Sequence, residues 1–496
     1  MIDRSKKIFG NEIKKADYRR AANSKKRFVL KYGDDTKQIY HLKAVPNPTL
    51  SKYFKIQNLV RSDKPLELGP RPVIIGNIRM GFGHYRIALA IASCAHSLGF
   101  TPYWLDLNSF EDTTGGKVIS YLNDLYSLGS RLSQRIPLFD KLLWEPGSKN
   151  MYKKLSRNAV DQKNSELMTR AYQDLDKNLP FIATHSWPAQ AAIHAGMNCV
   201  VNVIPDNLPM TLHLAEGSVH TVQTPSSYLG YKTLNEMYDG ETKTMPSKDI
   251  VLAGHYVDHE IVANINHDCK RRMERMINRK PVRFLIPVGG AGAGLEMIEK
   301  IISHLLPRVK GGTATIFLNL GDHKDVLDKL AKKIPNFMDT ITLHPDDFDK
   351  TAEFASQASL NEDLKGLHVF LHSDIFAAVY STNLLMRECD VMVTKPSELA
   401  FYPVPKLLIR RVGAHEAYGA LRSAEIGDGT IECRTFNQAT NMAEMLVTER
   451  TNIIAMCDNI IKANKIKIYD GGYEVVKTAV KLSRDAKTKN NKLANK

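Results

Sequence analysis

The stretch from Arg71 to Leu107, RPVIIGNIRMGFGHYRIALAIASCAHSLGFTPYWLDL, limits the fold more than any other part of the chain. Val73-Ile74-Ile75 is a short, wholly apolar run, the mark of a strand buried on both faces. The run breaks at a turn from Gly76 to His84. Ile87, Leu89, Ala90, Ile91, Cys94 and Leu98 then recur at helical spacing, and Gly99 closes that helix. Pro102–Leu107 reads as a second strand. A strand, a glycine-rich turn, a helix and a second strand make a βαβ unit, so the sheet it enters is parallel. Gly81 and Gly83 let the backbone approach a ligand closely, and the free N–H groups at a helix start attract an anion. His84 stands at that helix mouth, where a histidine serves as a general base near neutral pH or simply caps the helix. The spacing is G-x-G-H, with Arg86 where a dinucleotide fingerprint would carry its third glycine.

The pattern restarts in the second half. Arg283–Val288 runs into Gly289-Gly290-Ala291-Gly292-Ala293-Gly294, four glycines in six residues, followed by helical spacing over 295–306. This is the stronger phosphate-cradling signal of the two. Strands are expected at 181–186, 199–206, 219–226 and 250–256 before it, and at 315–321, 368–371, 390–394 and 406–409 after it. Strand and helix alternate throughout. The expected fold class is therefore α/β, with two Rossmann-like doubly wound parallel-sheet domains facing an interdomain cleft and an N-terminal appendage. The expected boundaries are 1–70 for a basic appendage with a β-hairpin across Gly33-Asp34-Asp35, 71–275 for the first domain and 281–432 for the second. C-terminal helices follow over 433–480, and a disordered basic tail over 481–496. In open α/β sheets the residues just past the strands line the ligand crevice. His185, Asp206 and Asn207 occupy such positions, although His185 and Asp206 suit local turn caps equally well.

Charge and cysteines narrow the function classes. The formal net charge is +15, much of it near the two ends. Such an excess suits phosphorylated or membrane-surface partners, and no zinc-finger, RNA-recognition or heptad signature points to nucleic acid. The segment Arg131–Trp144 mixes Leu132, Ile136, Leu138 and Phe139 with Arg131, Arg135 and Lys141. That composition suits an amphipathic surface resting on an anionic membrane, or a helix packed on the sheet. The six cysteines are scattered without a Cys-x-x-Cys pair, so neither a disulfide framework nor a metal site is expected. No signal-peptide core opens the chain. A cytoplasmic protein, peripheral at the inner face of the membrane, is the expectation.

Taken in order, these loops resemble those of the GT-B glycosyltransferases, in particular the MurG-type N-acetylglucosaminyltransferases and the monogalactosyldiacylglycerol synthases. Gly81-Phe82-Gly83-His84 is similar to their acceptor-facing loop, and Asp206 to an aspartate at a strand end in the lipid galactosyltransferases. Gly289-Gly290-Ala291-Gly292-Ala293 resembles the loop that opens their donor domain. Thr394–Leu399 is similar to the segment whose glutamate, here Glu398, holds the donor ribose. Gly413–Ala420 is similar to a stretch that contacts donor sugar and phosphate, with Glu416 replacing the usual glutamine and Gly419 the usual asparagine.

The resemblance implies a metal-independent hexosyltransferase that moves a sugar from a nucleotide-diphosphate donor, a UDP-sugar, to an acceptor hydroxyl, that of a lipid included. It implies catalysis by His84 and Asp206, acceptor and phosphate binding by Gly81, Gly83 and His185, and donor binding by Gly289, Gly290, Ala291, Gly292, Lys395, Glu398, His415 and Glu416. No cofactor is implied. A nucleotide-sugar epimerase of the same architecture and a degenerate binding protein remain alternative readings.

Overall fold

The computed structural model describes residues 3–79, 81–135, 154–238, 241–289 and 294–494, with the side chains of 125–135 and 491–494 left aside. By its contacts the chain divides into two compact units. Residues 1–80, 87–256 and 470–496 form the first, and residues 81–86 with 257–469 form the second.

In the first unit, β1 (Lys7–Ile8) and β2 (Asn11–Glu12) form a small antiparallel pair. The main strands are β3 (His41–Pro46), β4 (Gln57–Ser62), β5 (Pro72–Asn77), β6 (Thr101–Asp106), β7 (Phe181–Ala183), β8 (Val200–Val203), β9 (Val219–Val222) and β10 (Ile250–Leu252). They make one sheet in the order β10-β9-β8-β7-β5-β6-β4-β3, parallel except for the β3–β4 pair. Val73, Ile74 and Ile75 have no exposed surface, as a strand covered by helices on both faces requires. The helices Phe82–Ser97 and Ser186–His194 connect β5 to β6 and β7 to β8.

The second unit holds β11 (Val282–Pro287), β12 (Ala314–Asn319), β13 (Ile341–Leu343), β14 (Gly366–Phe370), β15 (Val391–Thr394) and β16 (Lys406–Leu408). Their order is β13-β14-β12-β11-β15-β16, and every pair is parallel. Phe284, Ile286, Phe317 and Leu318 fill its core together with Ile298, Ile301 and Ile302 from the crossover helix Leu295–Lys310. Each unit is thus a doubly wound α/β sheet, the fold class the sequence pattern calls for.

Two expectations change. Arg27–Leu30 does not pair across Gly33-Asp34-Asp35, because it belongs to the helix Lys15–Tyr32. The antiparallel pair lies further along the chain, in β3 and β4. The C-terminal stretch is not a disordered tail: Gly471–Ala494 is a helix of the first unit that packs against β7 and β8. Val475, Val476 and Ala479 are buried in it, so the apolar side of this helix outweighs the polar composition of the other. It begins where β-carbon space runs out, since a Cβ on Gly471 would lie 2.2 Å from the Gly254 carbonyl oxygen. The basic segment expected to meet a membrane is helical up to Arg135, and its residues 136–144 fall outside the described residues. No helix among the described residues is long and apolar enough to cross a membrane. All six cysteines are buried free thiols, and no group of three metal-binding side chains occurs among the described residues.

Candidate functional site

A doubly wound sheet has a point where the chain, having added strands on one side, crosses to the other, and crevices open there at the carboxyl ends of the strands. In the first unit β5 lies between β6 and β7, so the crossing point is between β5 and β7. The chain leaves β7 through Thr184, His185 and Ser186. His185 has extended backbone and caps the next helix: its Nδ1 accepts the Trp187 N–H at 3.1 Å, and its ring meets the Trp187 ring edge-on at 5.0 Å. The histidine is buried. Its capping role, one of the two readings the sequence allowed, satisfies a helix-start donor that would otherwise be orphaned.

Beyond the neighbouring β8 lies Asp206. Its Oδ2 is 3.3 Å from Nε2 of His213, a buried residue in the short turn Thr211–His213. Asn207 beside it is buried as well. His213 carried no sequence signal: T-L-H-L fits no motif, and only the fold brings it to the aspartate.

In the second unit β11 lies between β12 and β15, which puts the crossing point between β11 and β15. The expected donor loop leaves β11 there. Gly289 is described and buried only in part, whereas Gly290, Ala291 and Gly292 fall outside the described residues. A Cβ on Gly289 would sit 3.8 Å from Cε of Lys395, which follows β15. Lys395 Nζ pairs with Glu416 Oε1 at 2.8 Å, and Glu416 Oε2 accepts the Val412 N–H at 2.7 Å. Burial works to raise the Glu416 carboxyl, but the charge and hydrogen bond of Lys395, together with His415 and the Val412 N–H, hold the group below the usual glutamate range. His323, past the end of β12, lies with Nε2 3.1 Å from the Gly289 carbonyl oxygen.

Gly289 therefore meets Lys395 and Glu416, more than a hundred residues further along the chain, at one corner of one sheet. A glycine is required at 419. Its helix, Ala417–Ile426, closes so tightly on the Lys395–Ser397 segment that a Cβ there would lie 2.1 Å from the Pro396 carbonyl oxygen. An asparagine has no room. The half-buried His415 ring folds over Gly413, whose Cβ would lie 2.4 Å from it.

The turn Gly81–Arg86 groups by its contacts with this second unit. A Cβ on Gly83 would stand 3.2 Å from Glu398 Oε2, and Arg86 Nε is 3.6 Å from Glu398 Oε1. Arg86 is buried, with Nη1 donating to the Val379 carbonyl at 3.1 Å and to Asn383 Oδ1. The arginine that breaks the dinucleotide fingerprint is thus an anchoring residue. Asn383 in turn donates to Asp258 Oδ2 at 2.8 Å, and burial first, then the neighbouring Glu260 charge, push the Asp258 carboxyl up to about 7. His84 lies half-buried in the first turn of its helix.

Residues 7–233 match a family described as domain of unknown function DUF6937, and residues 245–480 match one described as domain of unknown function DUF6938. No curated protein matches the sequence. Among solved structures, the UDP-GlcNAc 2-epimerase of Neisseria meningitidis bound to UDP-GlcNAc aligns with 84% of this chain and 100% of its own, at 10% identity and a TM-score of 0.43. The S. aureus MnaA–UDP structure covers 81% of this chain and 94% of its own, at 11% identity and a TM-score of 0.40. The trehalose-6-phosphate synthase of Burkholderia multivorans covers 85% and 99%, at 12% identity and a TM-score of 0.41. This chain itself carries two doubly wound α/β units. The functional reading rests on its own residues.

Proposed function

We propose that the chain is a nucleotide-sugar enzyme, a glycosyltransferase that takes its sugar from a nucleoside-diphosphate donor, a UDP-sugar, held by the second unit. The observation that carries this reading is the corner at the β11–β15 crossing point, where Gly289, Lys395 and Glu416 come together. A partly exposed ammonium beside a glycine at the carboxyl end of parallel strands suits a pyrophosphate. Lys395 and the start of the following helix would offset the charge that grows on the departing phosphate, without a metal. Glu398, an acceptor-only carboxylate, would take hydrogen bonds from the two ribose hydroxyls. His84 or Asp206 would take the proton of the acceptor hydroxyl.

Thermal unfolding with a panel of nucleoside diphosphates tests the donor site. A ligand present at about a hundred times its dissociation constant adds roughly 2.7 kcal/mol, which is a plain melting shift. Native protein should show that shift with UDP or a relative, and Lys395→Ala and Glu398→Ala should lose it. If no nucleotide stabilises the native protein, the reading fails. Net release of free nucleoside diphosphate in the presence of an acceptor separates transfer from epimerisation, which returns the nucleotide to the sugar. A lipid acceptor, with residues 128–144 resting on an anionic bilayer, is the finer form of the proposal. Flotation with anionic vesicles, lost on deleting 128–144, tests it.

A further inference from the structure

The turn that carries His213 is held by an unusual number of side chains. Asn158 donates to the carbonyls of both Thr211 and Leu214, each at 2.8 Å. Ser186 donates to the Leu212 carbonyl, Asn202 to that of His213 at 2.6 Å, and Gln190 to that of Leu214 at 2.8 Å. Every carbonyl from Thr211 to Leu214 thus receives a side-chain hydrogen bond. The four donors come from two helices, Leu155–Ser165 and Ser186–His194, and from β8, and all four residues are buried. Buried amides that could pair with one another are directed instead at one three-residue turn. Such a clamp fixes a side chain to within a fraction of an ångström, the kind of support a reacting group needs and a packing histidine does not.

His213 is placed between two partners. On its inner side Nδ1 is 2.6 Å from the hydroxyl of Tyr231, which has no exposed surface. That hydroxyl also donates to the Leu208 carbonyl at 3.0 Å and accepts the Met210 N–H at 3.3 Å. Its one proton goes to that carbonyl, which can only accept. Burial holds the phenol well above its ordinary range, so the hydroxyl keeps that proton. The Asp206 carboxylate likewise only accepts, so its Oδ2 at 3.3 Å faces an N–H on Nε2. The aspartate is the open end of the chain: its side chain keeps 29% of its surface exposed, against 7% for His213.

We propose that Asp206, His213 and Tyr231 form a built acid–base relay at the carboxyl end of β8, in which the Asp206 carboxylate accepts the proton of a sugar or acceptor hydroxyl and His213 is the positioning residue behind it. The proposal rests on the transferase reading for its substrate class. In that reaction the acceptor oxygen forms its bond to the anomeric carbon, and the bond from that carbon to the phosphate oxygen breaks. The electron pair leaves on the nucleoside diphosphate, and the acceptor's proton passes to Asp206. The histidine's Nε2–H steadies the carboxylate in the orientation that receives the proton, and Tyr231 holds the ring at its other nitrogen. The relay selects Asp206 over His84 as the proton acceptor.

The test has two arms on the full-length protein. In the first, nitrogen-15 histidine spectra, with the His213 signals identified by their loss in His213→Gln, report the tautomer without any substrate. The native protein should show the Nε2–H form, and Tyr231→Phe and Asp206→Asn should each disturb it. If neither does, the relay does not exist. In the second arm, Asp206→Asn should lower kcat by about a hundred- to ten-thousandfold while leaving the nucleoside-diphosphate melting shift unchanged. Tyr231→Phe should lower kcat about tenfold with KM little altered. Full turnover in Asp206→Asn overturns the catalytic role even if the tautomer is as expected. A native protein that binds no nucleotide overturns the transferase reading, and the spectra still decide the relay.

Discussion

The turn Thr211–His213 in the first unit and the Lys395–Glu416 corner in the second both border the carboxyl ends of parallel strands, yet different forces hold them. The turn is clamped by neutral amides and a hydroxyl, with its single carboxylate, Asp206, left at the open end. The corner is closed by an ion pair between a partly exposed lysine and a buried glutamate, under a helix packed as close as a glycine permits. Neutral hydrogen bonds are directional and indifferent to pH, so they suit a group whose position matters. An ion pair keeps a cation in place and compensated until an anion arrives. One corner is built to aim a side chain, the other to hold charge.

The largest effect should come from unclamping the turn. Asn158→Leu removes two hydrogen bonds to buried carbonyls and should lower the unfolding free energy by about 2–4 kcal/mol. Denaturant titration measures the loss, and unchanged stability would mean that the clamp is not a stiff device. Next is Gly419→Ala. The atom it meets is a backbone oxygen that cannot swing aside, so about 1–3 kcal/mol of stability should be lost. The nucleoside-diphosphate melting shift should shrink with it, because the displaced segment carries Lys395.

Glu416→Gln probes the contrast in pH behaviour. The folded-state pKa of Glu416 is depressed, so the ion pair's contribution is present above the usual glutamate range and is lost as pH falls through the lower folded value. The variant should be less stable than the native protein by about 1–2 kcal/mol at neutral pH, after allowance for the exposure of Lys395. The gap should close on acidification. A gap that stays constant down to pH 3 would show that the pair adds nothing electrostatic. Asn158→Leu, in contrast, should show a gap that does not change with pH. The smallest effect belongs to His185→Ala, which removes a helix cap and should cost about 1 kcal/mol without altering nucleotide binding.

Much of the fold was legible because parallel strands buried on both faces leave continuous apolar runs. Val73–Ile75, Phe284–Ile286 and Val391–Val393 announce themselves, and the glycines after them mark the turns. The candidate site was legible in parts. Asp206 and Lys395 stand at strand ends, which the alternation of strand and helix locates. Arg27–Leu30 was misread as a strand because Phe-Val-Leu favours a sheet locally, while the eighteen-residue helix around it is held by packing of Ala21 and Phe28. The basic C-terminal helix was misread for the converse reason, since its polar face dominates its composition.

The sequence by itself determined that this is an α/β chain with two glycine-turn units, since periodicity and turn chemistry are local properties. Only the tertiary structure decided which polar residues meet. Asp206 and His213 meet within the connection from β8 to β9, Tyr231 reaches His213 from the helix after β9, and Glu416 reaches Lys395 from beyond β16. The partner of a buried charge or hydroxyl is chosen by the whole fold, because an unpaired polar group in a dry interior costs more than any local preference can offset.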